Sequence, residues 1–211
     1  MGLRPFEKKR VLKIKCKVNG LINKYKTCLV IKGYTQKDGI DYEETFSLMV
    51  RFASIRLIMA TIAHLDLKLF QIDVKTTFLN GKQDKEIYMD QPIHFEVEWQ
   101  RRKVYQLKCS TYGLKQSSKQ WYFRFHEAII FIGFEILEED HCVYLKQSRR
   151  DFFILSMYID NILLVGNDMD MIITSKGWLS STFDMKDMRK ENFMLGVKIL
   201  RDHSRKILGL S

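Results

Sequence analysis

No run of apolar residues in this 211-residue sequence reaches the ~20 needed to span a bilayer. The longest candidate, Phe152–Val165, is too short and carries Asp160 in its middle. The N-terminus, MGLRPFEKKR, lacks an apolar core and so offers no secretory signal. Phe6 stands where a myristoylation motif needs Ser or Thr. Cysteine is scarce, at Cys16, Cys28, Cys109 and Cys142 only. None forms a CxxC pair or has zinc-finger spacing with a histidine, and adjacent His141-Cys142 is poor geometry for joint tetrahedral ligation. Reduced thiols in an intracellular protein are the expectation, with cytoplasm and nucleus not distinguished and no membrane partner. Internal repeats and low-complexity linkers are also missing. Acidic residues almost vanish from positions 1–37, where Glu7 alone faces Arg4, Lys8, Lys9, Arg10, Lys13, Lys15, Lys17, Lys24, Lys26, Lys32 and Lys37.

What is present suits one large domain or two small subdomains. A content of 46% hydrophobic and 12% aromatic residues supplies a core, and 28% charge is globular rather than disordered. The net charge of +10 gathers in the early segment and again at Arg101, Arg102, Lys103, Lys108, Lys115 and Lys119. Solubility alone needs no such clustering. A polyanion such as a phosphate backbone would exploit it through counterion release. Nothing in the sequence reports the oligomeric state.

Val11–Val18 alternates apolar and basic residues, Asn19-Gly20 follows, and Leu21–Ile31 is β-prone, which predicts a hairpin with one lysine face. Residues 33–47 read as loop. Ile55, Ile58, Met59, Ile62 and Leu65 predict a helix over Ser54–Leu65 with Ser54 as N-cap. Leu67–Ile72 reads as a strand closed by Asp73, and Glu86–Met89 and Val104–Lys108 as short strands. Trp121, Phe125, Ala128, Ile129 and Ile132 form the stripe of a second helix, Ser117–Ile132, stopped by Gly133. Cys142–Leu145 and Phe152–Val165 read as strands, Met169–Ser181 as a third helix, and Met194–Ile199 and Ile207–Leu210 as strands about a polar turn. This order predicts an α+β fold with helices on one face of an antiparallel sheet.

Phe152–Val165 reads as two apolar arms, Phe152–Ile159 and Ile162–Val165, folded about Asp160-Asn161. Asp-Asn is good turn chemistry in its own right. It is also a carboxylate on a rigid tip, which a metal site or general base needs. Asp73 is the second acid that ends an apolar strand. If the two strands are sheet neighbours, the two carboxylates converge, and converging carboxylates bind Mg²⁺.

The runs KGYTQKDGIDYEETFS (32–47), VRFASIR (50–56), IDVKTTFLNG (72–81), IYMDQP (87–92), YGLKQS (112–117) and YIDN (158–161) resemble the reverse transcriptase of copia-type LTR retrotransposons. The resemblance covers nearly the whole chain from about Val11, with several motifs in order and at the right spacing. It implies a fingers-and-palm polymerase fold, with residues 1–49 and 81–116 fingers-like and 50–80 and 117–211 palm-like. It also implies DNA synthesis from dNTPs on an RNA or DNA primer–template, with Mg²⁺ or Mn²⁺. By the same resemblance, Asp73 and Asp160 match the metal-binding aspartates, Asp160 within the family's Tyr-x-Asp-Asp hairpin. Phe78 matches the aromatic that excludes a 2′-hydroxyl, the handle that tells rNTP from dNTP. Tyr112 and Gly113 match the segment beside the nucleotide. The early basic strands, with Lys26, match the fingers over the triphosphate. Leu195 and Gly196 resemble the hairpin that grips the primer.

Four residues depart from the family at motif positions. Asn161 replaces the second hairpin aspartate, and losing one charge there would cost on the order of 10²–10³ in rate. Cys28 replaces a triphosphate-binding arginine, whose bidentate guanidinium a thiol does not reproduce. Leu48 and Ser118 stand where the family usually carries proline. No ribonuclease H, integrase, protease or nucleocapsid region is recognisable, and a complete thumb is missing. The expectation is therefore an impaired polymerase. The alternative is a catalytically dead remnant that keeps only nucleic-acid binding.

Overall fold

The computed structural model describes residues 5–16, 20–45, 49–92, 95, 99, 103–188, 193–194 and 197–210. In chain order, the early elements are β1 (Lys8–Cys16), β2 (Ile22–Ile31), α1 (Phe52–Leu65), β3 (Lys68–Val74), β4 (Tyr88–Asp90), β5 (Val104–Gln106) and α2 (Ser117–Phe131). There follow β6 (Glu135–Leu137), β7 (Asp140–Ser148), β8 (Asp151–Tyr158), β9 (Asn161–Gly166), α3 (Met169–Thr182) and β10 (Met185–Asp187). The last elements are β11 (Phe193–Met194), β12 (Val197–Asp202) and β13 (Ile207–Leu210). Single 3₁₀ turns cover Gly33–Thr35 and Thr77–Asn80. The fold is mixed α and β. Two compact units divide the chain, Met1–Ser47 with Phe78–Arg124 and Leu48–Thr77 with Phe125–Ser211.

In the first unit β1 and β2 form an antiparallel hairpin whose alternation sorts its side chains. Lys9, Val11, Lys13 and Lys15 share a face with Lys24, Lys26, Cys28 and Val30. Arg10, Leu12 and Ile14 share the other with Tyr25, Thr27 and Leu29. Gly20 carries φ +80, as a tight reversal needs, while Asn19 lies outside the described residues. At its base, Ile31 joins Ile87, Met89 and Leu114 in a small core against which Phe6 and Leu107 pack.

The second unit is built on a six-stranded antiparallel sheet in the order β10-β3-β9-β8-β7-β6. Ile162, Leu163, Leu164 and Val165 of β9 are all buried, so this strand is covered on both faces instead of alternating. Ile55, Ile58, Met59 and Ile62 of α1 are buried at helical spacing, as their pattern predicted. The cap differs from expectation. Helix α1 begins two residues before Ser54, with Arg51 at the N-cap position and no cap from its own side chain. Asp140 of β7 caps it instead: one carboxylate oxygen accepts from the Arg51 N–H (2.8 Å) and the Ser54 hydroxyl (2.7 Å). The other accepts from the Cys142 N–H at 3.0 Å.

Three further expectations are corrected. Strands β6 and β10 stand where the sequence was read without structure. The hairpin turn falls on Ile159-Asp160 rather than Asp160-Asn161, because Asn161 pairs with Tyr158 as the first residue of β9. Strand β3 runs one residue past Asp73, to Val74. No helix among the described residues is long and apolar enough to cross a membrane.

Candidate active site

Strand β3 is the direct neighbour of β9, which meets the condition for Asp73 and Asp160 to converge. Asp73 stands opposite Asn161, and the Val74 N–H donates to the Asp160 carbonyl at 2.7 Å. Directly opposed residues of antiparallel strands share a face. Lys186, Asp73, Asn161 and Tyr158 therefore form one row across β10, β3, β9 and β8. Gln71, two residues before Asp73, lies on the same face of β3 and diagonally from Asn161.

The tip is held by side chains as well as by the ladder. Gln71 Nε2 donates to Asn161 Oδ1 at 2.7 Å, and Asn161 Nδ2 donates to Asp160 Oδ1 at 2.8 Å. The Asn161 carbonyl is thus engaged by Gln71, while its amide faces the carboxylate. The sequence marks Asn161 only as a lost charge and gives Gln71 no role. The available signal was the two-residue spacing from Asp73, which puts Gln71 on the strand face of that acid. Ile159 takes φ +55, a conformation that costs a β-branched residue about 1–3 kcal/mol and that persists only where the surroundings impose it. Here the ladder on both sides of the two-residue turn imposes it.

The two carboxylates suit a hard divalent cation, which takes oxygen ligands and accepts one or two carboxylates alongside waters and phosphates. No group of three or more His, Cys, Asp or Glu side chains able to hold a metal occurs among the described residues. A cation on Asp73 and Asp160 would complete its shell with water or phosphate oxygens.

The nucleotide-binding candidates come together within the first unit. The Phe78 and Tyr112 rings meet edge to face at 4.9 Å between centroids. Lys26 Nζ lies 5.9 Å from the centre of the Tyr112 ring. The Tyr112 carbonyl accepts from the Ile31 N–H at 2.9 Å, which ties this loop to the base of the hairpin. Gly113 has φ +97, and a Cβ there would overlap the Ile31 carbonyl. Glycine is therefore required by both backbone and space. Cys28 lies on the same strand face as Lys26, two residues along. Leu195 and Gly196, the primer-grip candidates, lie outside the described residues.

The chain matches the family model described as reverse transcriptase (RNA-dependent DNA polymerase) over residues 1–209. It is 44% identical over 211 residues, all of its length, to the retrovirus-related Pol polyprotein from transposon TNT 1-94 of Nicotiana tabacum, of which it spans 16%. It is 33% identical over 183 residues, 87% of its length, to the corresponding polyprotein from transposon RE1 of Arabidopsis thaliana, of which it spans 12%. Against the truncated transposon Ty1-A Gag-Pol polyprotein of Saccharomyces cerevisiae it is 29% identical over 120 residues, covering 55% of this chain and 9% of that protein. The chain thus spans a small part of the polyproteins it matches. With its motifs in order and the family model matched almost from end to end, the chain belongs to the reverse transcriptase family of copia-type retrotransposon Pol polyproteins.

Proposed function

We propose that this chain acts as an RNA-directed DNA polymerase domain, adding nucleotides from dNTPs to a primer on an RNA or DNA template. The register that sets Asp73 against Asn161, with the Asp160 carbonyl bound by Val74, carries this reading. Residues 1–49 and 81–116 are the fingers and 50–80 and 117–211 the palm. Asp73 and Asp160 hold Mg²⁺, or Mn²⁺ in its place. When bound, the cation offsets the charge that grows on the transferring phosphoryl oxygens, in the two-metal manner of such polymerases. Lys26 attracts the triphosphate as a point charge. Phe78 and Tyr112, braced against each other, present an aromatic edge to the sugar, and Phe78 leaves no room for a 2′-hydroxyl. In the overall reaction the primer 3′-oxygen bonds to the α-phosphorus and pyrophosphate leaves.

The site is weakened on two counts. Asn161 removes one negative charge from the tip, and Cys28 offers no bidentate partner to phosphate. A second reading, nucleic-acid binding without chemistry, draws support from the hydrogen bonds that satisfy the Asp160 tip by amide donors. Primer extension on a primed RNA template with Mg²⁺ or Mn²⁺ separates the two. Slow incorporation that disappears in Asp73→Ala supports the polymerase. No incorporation by the chain under either cation, with primer–template still bound, supports the second reading.

A further inference from the structure

We propose that Gln71 and Asn161 form a positioning pair for Asp160, in which Asn161 serves as a hydrogen-bond donor to the carboxylate and not as a metal ligand. The inference rests on the reading that Asp73 and Asp160 hold a divalent cation. Its ground is the short chain of bonds from Gln71 Nε2 to Asn161 Oδ1 (2.7 Å) and from Asn161 Nδ2 to Asp160 Oδ1 (2.8 Å).

The direction of that chain is fixed by chemistry. An ionised carboxylate only accepts, so Asn161 must turn its NH₂ toward Asp160. Its carbonyl then points the other way and needs a donor, which Gln71 supplies. Gln71 is only 8% exposed, so water is a poor substitute there. The diagonal placement of Gln71 and Asn161 on neighbouring antiparallel strands brings the two amides within reach without distorting either strand. One oxygen of Asp160 is thereby pinned. Pinning matters because a carboxylate held by an outer hydrogen bond presents its remaining lone pairs in one orientation, and loss of such partners typically lowers metal affinity about 10–100-fold.

Asparagine at 161 is what lets this relay close without a cation. An aspartate there would still accept from Gln71, but it would set a second acceptor against Asp160. That pair of like charges would need a cation between them. Position 161 therefore trades charge for a fixed orientation of the Asp160 carboxylate.

The test is Mn²⁺ binding to the intact chain without nucleotide, followed by water-proton relaxation. Gln71→Met keeps length and removes the donor, and it should weaken Mn²⁺ binding about tenfold or more. Asn161→Leu should do the same. Because the two residues act in series, the double variant should bind no more weakly than the weaker single variant. The side-chain amide protons of Asn161 should exchange slowly in the parent chain and rapidly in Gln71→Met. If Gln71→Met does not fold by circular dichroism, Gln71→Leu replaces it. Unchanged Mn²⁺ affinity in the Gln71 variant, or losses that multiply in the double variant, overturns the positioning pair. Unchanged affinity in Asp73→Ala overturns the metal-site reading beneath it, so the two failures are told apart.

Discussion

Cys142 shows how one buried group turns into a measurable property. It is 1% exposed, and burial, with the Asp140 carboxylate nearby, pushes its thiol up to about 12. Below about pH 9 the thiol is protonated in the folded and unfolded chain alike, so it adds no pH dependence. Between about 9 and about 12 only the unfolded chain ionises, and stability falls by about 1.4 kcal/mol per pH unit. Urea unfolding across that range should show this alkaline slope, and Cys142→Ala should flatten it by the same amount. Equal slopes would mean that the thiol is accessible in the fold. Asn161 has a comparable reach at the same scale. The sequence marked it as a lost charge, and it is one, but its amide is also spoken for on both sides.

Long-range polar contacts join elements far apart in the sequence, and the Asp140 cap is a clear case. A carboxylate on β7 satisfies the start of α1, 89 residues away from Arg51 in sequence. Asp140→Ala should destabilise the chain by about 2–4 kcal/mol, read from the urea midpoint, because it removes a cap and strands buried donors. Ser54→Ala removes one of those contacts and should cost about 1 kcal/mol. A cost for Asp140→Ala no larger than that of Ser54→Ala would contradict the capping role. The distance explains why the sequence pointed to Ser54 as the cap: the residue was right for the contact, but its partner was invisible. The helices and the β1–β2 hairpin were legible because their apolar residues recur at helical or alternating spacing, and β8 and β9 because they are continuous apolar runs. Three residues are too few to show a period, so of the short strands β4 and β5 were found and β6 and β10 were not. The adjacency of β3 and β9 could be stated only as a condition, because pairing partners 88 to 98 residues apart leave no local trace. The hairpin turn was misplaced by one residue for a physical reason. Asp-Asn is the better turn pair in isolation, but ladder pairing with Tyr158 and the bond from Gln71 draw Asn161 into the strand. Ile159 then accepts the positive φ.

Across the whole molecule, the +10 charge has a structural focus. Lys13 stands opposite Lys26 and Lys15 opposite Lys24 on one face of the β1–β2 hairpin, and none of the four forms an ion pair among the described residues. Like charges directly opposed destabilise a strand pair. A bound polyanion would relieve that repulsion. Primer–template affinity should accordingly fall steeply with salt, and replacing Lys13, Lys15 and Lys24 by Gln should flatten the log–log slope by about 2–3. An unchanged slope would place the nucleic acid elsewhere. The most direct test of the account is single-turnover incorporation of one dNTP on a primed RNA template with Mg²⁺, comparing the chain with Asn161→Asp and with Asn161→Asp/Asp73→Ala. For a site built on Asp73 and Asp160 the expectation is slow incorporation by the chain, a rise on the order of 10²–10³ in Asn161→Asp, and none in the double variant. Incorporation by the double variant at the rate of Asn161→Asp would contradict it.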